Sequence, residues 1–120
     1  MKAKDALGRQ GEDVAASYLA DQGFTVVDRN WRCEHGEVDL IAIDDRDTVF
    51  VEVKTRTSTA FGHPFEAITD AKLARLRRLA SAWCEAQSGP RPRAIRIDIV
   101  SVLIRDGGLP LVEHLRGVFR

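Results

Sequence analysis

The chain has 120 residues, 44% of them hydrophobic and 30% charged, and its 18 basic and 18 acidic side chains balance to a formal net charge of zero. That length suits one domain, residues 1–120, with a core of its own, and the balance of charge argues against indiscriminate attachment to polyanions. No apolar run approaches the ~20 residues that cross a bilayer, the segment from Met1 to Gln10 has no apolar signal stretch, and Cys33 and Cys84 have neither metal-ligand nor disulfide spacing, so a cytoplasmic protein with free thiols is expected.

From about Ala3 to Asp21 the spacing predicts a helix, with Leu7, Gly11, Val14, Ala15, Tyr18 and Leu19 on one stripe and Gly23 as its stop. Glu12 lies at the border of that stripe, where a solvated glutamate is the ordinary reading. Gly8 and Gly11 let the helix backbone come close to a sheet or a phosphate. Phe24 to Val27 reads as a short strand, followed by Asp28 to Cys33, in which Arg29 and Arg32 flank Trp31. Such a group suits phosphate contacts beside a base-stacking ring, and equally a packed tryptophan with two surface arginines.

Val38–Ile43 and Thr48–Val53 are runs rich in β-branched residues separated by Asp44-Asp45-Arg46-Asp47, which predicts a hairpin. If the turn closes on Ile43 and Thr48, Asp39 falls opposite Glu52 and Glu37 opposite Lys54. Alternation then gives Asp39, Ile41 and Ile43 the same face as Phe50, Glu52 and Lys54. Two carboxylates with Cβ atoms ~5 Å apart inside a covered sheet repel each other unless a cation sits between them. Mg²⁺, or Mn²⁺ in its stead, takes hard oxygen ligands of this kind, and the Val53 carbonyl adds another. Lys54 is then positioned to contact water or the charge developing on a phosphate.

The segment from Thr55 to Pro64 is polar and contains Gly62, which predicts a loop whose Arg56 can reach a nucleic-acid backbone. Thr69 or Asp70 caps a second helix to about Ala86, with Leu73, Leu76, Leu79, Ala80 and Trp83 inward and Lys72, Arg75 and Arg78 outward. Between Lys72 and Arg96 seven basic residues face Glu85 alone, a local charge that draws polyanions. Ser88 to Pro92 breaks the helix, Ala94–Leu103 alternates as a strand with Ile95, Ile97 and Ile99 on one face and Arg96 and Asp98 on the other, and Leu109–Leu115 forms a last strand. A salt bridge or a sheet-edge role is the expected one for Asp98, with support of the metal site as the alternative.

Gly8-x-x-Gly11-Glu12, Arg29-Asn30-Trp31-Arg32, Gly36-Glu37-Val38-Asp39-Leu40-Ile41-Ala42 and Phe50-Val51-Glu52-Val53-Lys54-Thr55-Arg56 resemble, in order, the motifs of the bacterial YraN family of endonuclease-like proteins. That family is similar to archaeal Holliday junction resolvases and to the PD-(D/E)xK nucleases. The departures are Val38 where isoleucine is usual and Gly-Glu-Val in place of a literal proline before the aspartate. The resemblance implies an α/β restriction-endonuclease-like fold, with a mixed central sheet flanked by helices. It also implies a metal site in which Asp39, Glu52 and Val53 are ligands, Lys54 is catalytic and Glu12 is an outer carboxylate. Nucleic acid, DNA in particular, is the implied partner and a homodimer the implied assembly, and the reading of the residues offers Arg29, Trp31, Arg32, Arg56 and Lys72 as contacts. Three readings of function follow: a magnesium-dependent nuclease, a non-catalytic nucleic-acid-binding or partner-recruiting module on the same scaffold, and a structural domain whose charges form a buried network.

Overall fold

The side chains of the central hairpin are apolar on both faces, so its strands need a covering layer on each side. In a computed structural model that describes residues 5–58, 60, 62–63, 65, 68–89 and 94–118, those layers are two helices. The helical start at Ala3, loop residues Thr59, Phe61 and Pro64, and the segment Pro90, Arg91, Pro92 and Arg93 lie outside the described residues. The order is α1 (Ala6–Asp21), β1 (Thr25–Cys33), β2 (Gly36–Asp44), β3 (Asp47–Arg56), α2 (Asp70–Ala86), β4 (Ala94–Leu103) and β5 (Leu111–Leu115). The sheet runs β1-β2-β3-β4-β5. Its β3–β4 pair is parallel and the other pairs are antiparallel. This is the expected α/β architecture, a mixed sheet flanked by helices, consistent with a restriction-endonuclease-like fold. Among the described residues no helix is long and apolar enough to cross a membrane.

Both helices are capped by short polar side chains. Asp5 accepts a hydrogen bond from the Gly8 N–H at 2.7 Å, and Thr69 accepts from the Lys72 N–H at 3.2 Å. The α1 layer buries Ala15 and Leu19 with Phe24 against Leu40, Ala42, Val49, Val51, Val100 and Val102. The α2 layer buries Leu76, Leu79, Ala80 and Trp83 against Val38, Ile41, Phe50, Ile97 and Ile99. Alternation therefore holds along β3 and β4 but not along β2, where Val38 faces α2 while Leu40 and Ala42 face α1. The break falls at Asp39.

Three expectations change. The first strand is longer than Phe24–Val27: it continues to Cys33 past a bulge between Val26 and Asp28, because pairing with β2 outweighs the weak strand preference of Asp28, Arg29 and Asn30. Strand β3 continues to Arg56 because β4 pairs with it as far as Arg56–Leu103, so the predicted loop begins later. The hairpin register is as expected from Asp44–Asp47 to Leu40–Val51, but the ladder stops there, and the Asp39–Glu52 and Glu37–Lys54 pairs do not form.

Candidate metal centre

Where the β2–β3 ladder ends, the Asp39 side chain replaces it. Its Oδ2 accepts the Val53 N–H at 2.7 Å, so the carboxylate fills the notch between the parting strands. The N–H and C=O of a strand residue leave on the same edge, and the Val53 carbonyl accordingly looks into the same notch. Asn30, on the facing part of β1, has a positive φ of 50°, a conformation that asparagine tolerates better than most residues. Its side chain donates to Glu12 at 2.9 Å.

Glu12 is 3% exposed, so the solvated reading of this residue does not hold. Gly11 explains how it gets there: α1 comes so close to β3 that a Cβ at Gly11 would stand 1.9 Å from the Thr55 hydroxyl oxygen. Ligand atoms of Glu12, Glu37 and Asp39 all lie within 4.8 Å of one another. Three carboxylates gathered from α1 and β2 form a hard-oxygen donor set, which fits a divalent cation such as Mg²⁺ or Mn²⁺ and suits soft metals poorly. Glu37 was the residue given no role by sequence reasoning, although it stands two positions before Asp39 and strand alternation points to their shared face.

Glu52 is not one of those three. Alternation from Phe50 directs it toward α2, where its Oε1 meets Arg75 Nη2 at 3.3 Å and its Oε2 meets Lys54 Nζ at 3.1 Å. Arg75, expected on the outer face of α2, thus turns inward. The notch therefore has two sides: Glu12, Glu37 and Asp39 toward α1, and Glu52 with Lys54 and Arg75 toward α2, joined through the backbone of Val53. The α1 side carries three carboxylates and the α2 side one carboxylate between two cations, and the Glu52 side chain is only 11% exposed while Lys54 keeps 30% of its surface in solvent.

The residues assigned to nucleic-acid contact are spread rather than gathered. Arg29 pairs with Asp13 at 2.6 Å and Arg32 with Glu37. Trp31 packs against the α2 core, which is the packed-tryptophan alternative. Arg56 donates to the Gly62 carbonyl at 2.7 Å, and Lys72 sits in the first turn of α2. Arg96, counted with the basic face, instead faces acids: Asp98 at 2.9 Å, Asp44 at 2.9 Å and Asp47 at 3.1 Å.

The similarity to known proteins extends over nearly the whole chain. A "UPF0102 protein" of Arthrobacter sp. strain FB24 is 58% identical over 118 residues, covering 98% of this chain and 99% of its own. Its namesakes in Paenarthrobacter aurescens and Beutenbergia cavernae are 57% and 58% identical over 120 and 118 residues, covering 98% of this chain and 97% and 99% of theirs. The model of "Uncharacterised protein family UPF0102" matches residues 11–102, a span that opens one residue before Glu12 and contains the whole notch, and the chain belongs to that family, the YraN family.

Proposed function

We propose that this protein is a metal-dependent nuclease that hydrolyses phosphodiester bonds in branched or otherwise structured DNA. The observation that carries the reading is the cluster of Glu12, Glu37 and Asp39 at the open end of the β2–β3 ladder, with a lysine across the strand from it. Glu12, Glu37, Asp39 and the Val53 carbonyl would hold Mg²⁺ or Mn²⁺, with Glu52 at the opposite wall. A divalent ion bound there supplies charge neutralisation for a phosphate and a more acidic water. The chain's own residues do the rest. Asn30 and Arg32 orient the carboxylates of Glu12 and Glu37. Arg75 holds Glu52, and Glu52 holds the Lys54 ammonium at the notch, where it meets the negative charge that grows on a phosphate as its ester bond breaks.

The test is a cleavage screen on single-stranded, duplex, flapped and four-way DNA with Mg²⁺ or Mn²⁺. Asp39→Ala, Glu52→Ala and Lys54→Ala each lower the rate by about 10²- to 10³-fold while the circular dichroism spectrum stays that of the wild type. Undiminished cleavage in all three variants assigns the activity to another site or to a contaminant. One observation favours a second reading, a binding module without turnover: Glu52 is already neutralised by two cations. Such a module binds DNA with an affinity that falls with salt and yields no product.

A further inference from the structure

Beyond the notch, the sheet face that carries Lys54 continues into a cavity. Two rows of paired residues cross it: Lys54, Ser101 and Glu113 in one, Arg56, Leu103 and Leu111 in the next. The cavity, of about 370 Å³, is lined by Arg56, His63, Ser101, Leu103, Leu111 and Glu113. That volume lies in the range of small-ligand sites, ~300–1,000 Å³. Its floor is apolar, and Leu111 keeps 50% of its surface exposed although it lies in a strand.

The polar groups of the wall have fixed roles. His63 Nδ1 accepts the Phe65 N–H at 3.1 Å, so this nitrogen carries no proton. Nε2 is then the protonated nitrogen, and it donates to the Glu113 carboxylate at 3.0 Å. Both Glu113 oxygens lie 3.0 Å from that nitrogen. A carboxylate in the wall repels a phosphate and accepts from N–H groups. Arg56, on the strand that leads to the notch, attracts a phosphate instead.

We infer that this cavity receives a single unpaired nucleobase of the substrate strand, next to the phosphate engaged at Lys54. The inference rests on the nuclease reading for the location of that phosphate. Arg56 stands two residues beyond Lys54 on the same face, about 7 Å along the strand at ~3.3 Å per residue, comparable to the step between phosphates of an extended strand. A base entering the cavity lies on Leu103 and Leu111, with its amino or imino N–H groups toward Glu113 and the Ser101 hydroxyl beside it. Paired bases cannot enter singly, so the substrate class is DNA with an unpaired nucleotide adjacent to the scissile bond.

The experiment measures binding apart from cleavage. Fluorescence anisotropy with EDTA present compares an oligonucleotide carrying one unpaired base with the same oligonucleotide made abasic at that position. Wild type binds the base-bearing form about tenfold more tightly, the effect of taking roughly 60 Å² of base surface out of water against the leucines. Leu111→Asp, at a half-exposed position and with a circular dichroism spectrum matching wild type, removes the difference, and Glu113→Gln reduces it. Equal affinity of wild type for the two oligonucleotides overturns the pocket, as does a preference that survives Leu111→Asp. The same pair incubated with Mg²⁺ separates the two ideas: preference without product keeps the pocket and removes the hydrolase, while equal cleavage of both keeps the hydrolase and removes the pocket.

Discussion

At Gly11 the first helix approaches β3 more closely than any side chain would allow. Glycine inside an exposed helix is a weakness, and alanine there normally gains about 1 kcal/mol. Here the sign reverses. The added methyl would meet Thr55 Oγ1 at 1.9 Å, Cγ2 at 2.6 Å and Cβ at 2.7 Å. Rotation of the threonine moves the first two atoms but not the third, so helix and strand must separate, at about 1–3 kcal/mol for overpacking of this kind. Gly11→Ala is therefore expected to lower stability by up to roughly 2 kcal/mol in urea unfolding once the propensity gain is subtracted. Adding Thr55→Ala recovers only part of the loss, because its Cβ stays. A Gly11→Ala protein more stable than wild type by the full ~1 kcal/mol of helix propensity would mean that the close approach is not made. Glu12 is the next residue, so the same spacing brings its carboxylate to Asp39.

The elements are tied at the far end of the sheet by a second buried acid. Asp98 of β4 is fully buried and accepts from Arg96 at 2.9 and 3.1 Å, from His114 of β5 at 2.7 Å and from the Gly117 N–H at 2.9 Å. His114 reaches on to the Tyr18 hydroxyl of α1 at 3.1 Å, and Arg96 to Asp44 and Asp47 at the β2–β3 turn. Burial alone would push the Asp98 carboxyl up, but the hydrogen bonds from His114, Arg96 and Gly117 and the charge of Arg96 outweigh it and hold it below its ordinary 3.8. Burial likewise works against the charge of Arg96, and the bonds to Asp98 and Asp44 prevail and raise it. A carboxylate depressed in the folded state contributes stability that is complete above its unfolded pKa and is lost as pH falls through the folded one. Asp98→Asn is expected to cost about 1.5–3 kcal/mol near neutral pH, since Arg96 keeps Asp44 and Asp47 but loses its charged hydrogen bonds to the one fully buried carboxylate among its partners, and the gap to wild type should close in strong acid. Urea unfolding across pH checks this; a gap that is the same at both ends would remove Asp98 ionisation as its cause. The sequence made the pairing of Arg96 with Asp98 legible, since residues two apart on a strand share a face. It also showed the hairpin and its register, because β-branched runs and a tight acidic turn are local signals. It did not show that the ladder ends at Leu40–Val51, because that depends on Asp39 taking the Val53 N–H and on Asn30 bending β1 beside it. For the same reason Asp39 was assigned the face of Glu52, whereas Glu37, two residues before Asp39, was within reach of strand alternation.

The molecule as a whole is neutral but unevenly charged, and its acids converge where separate elements meet. Glu12 comes from α1 while Glu37 and Asp39 come from β2, so a cation bound to all three holds a helix to the sheet and has no counterpart site in the unfolded chain. Such a ligand stabilises the entire fold by mass action, about 2.7 kcal/mol at a concentration one hundred times its dissociation constant, or on the order of 10 °C in melting temperature for a chain of this size. Saturating Mn²⁺ should therefore raise the melting temperature of wild type, and the Glu37→Gln, Asp39→Asn double variant should show no rise. In EDTA the variant should melt at the wild-type temperature or above it, because both amides keep an acceptor oxygen for Arg32 and for the Val53 N–H while the like charges are gone. A fold held by these charges as a structural network would behave in the opposite way, losing stability in EDTA and ignoring Mn²⁺ in either form. Differential scanning calorimetry of the two proteins with and without the ion separates these cases, and an equal Mn²⁺ shift in both would remove Glu37 and Asp39 as the ligands.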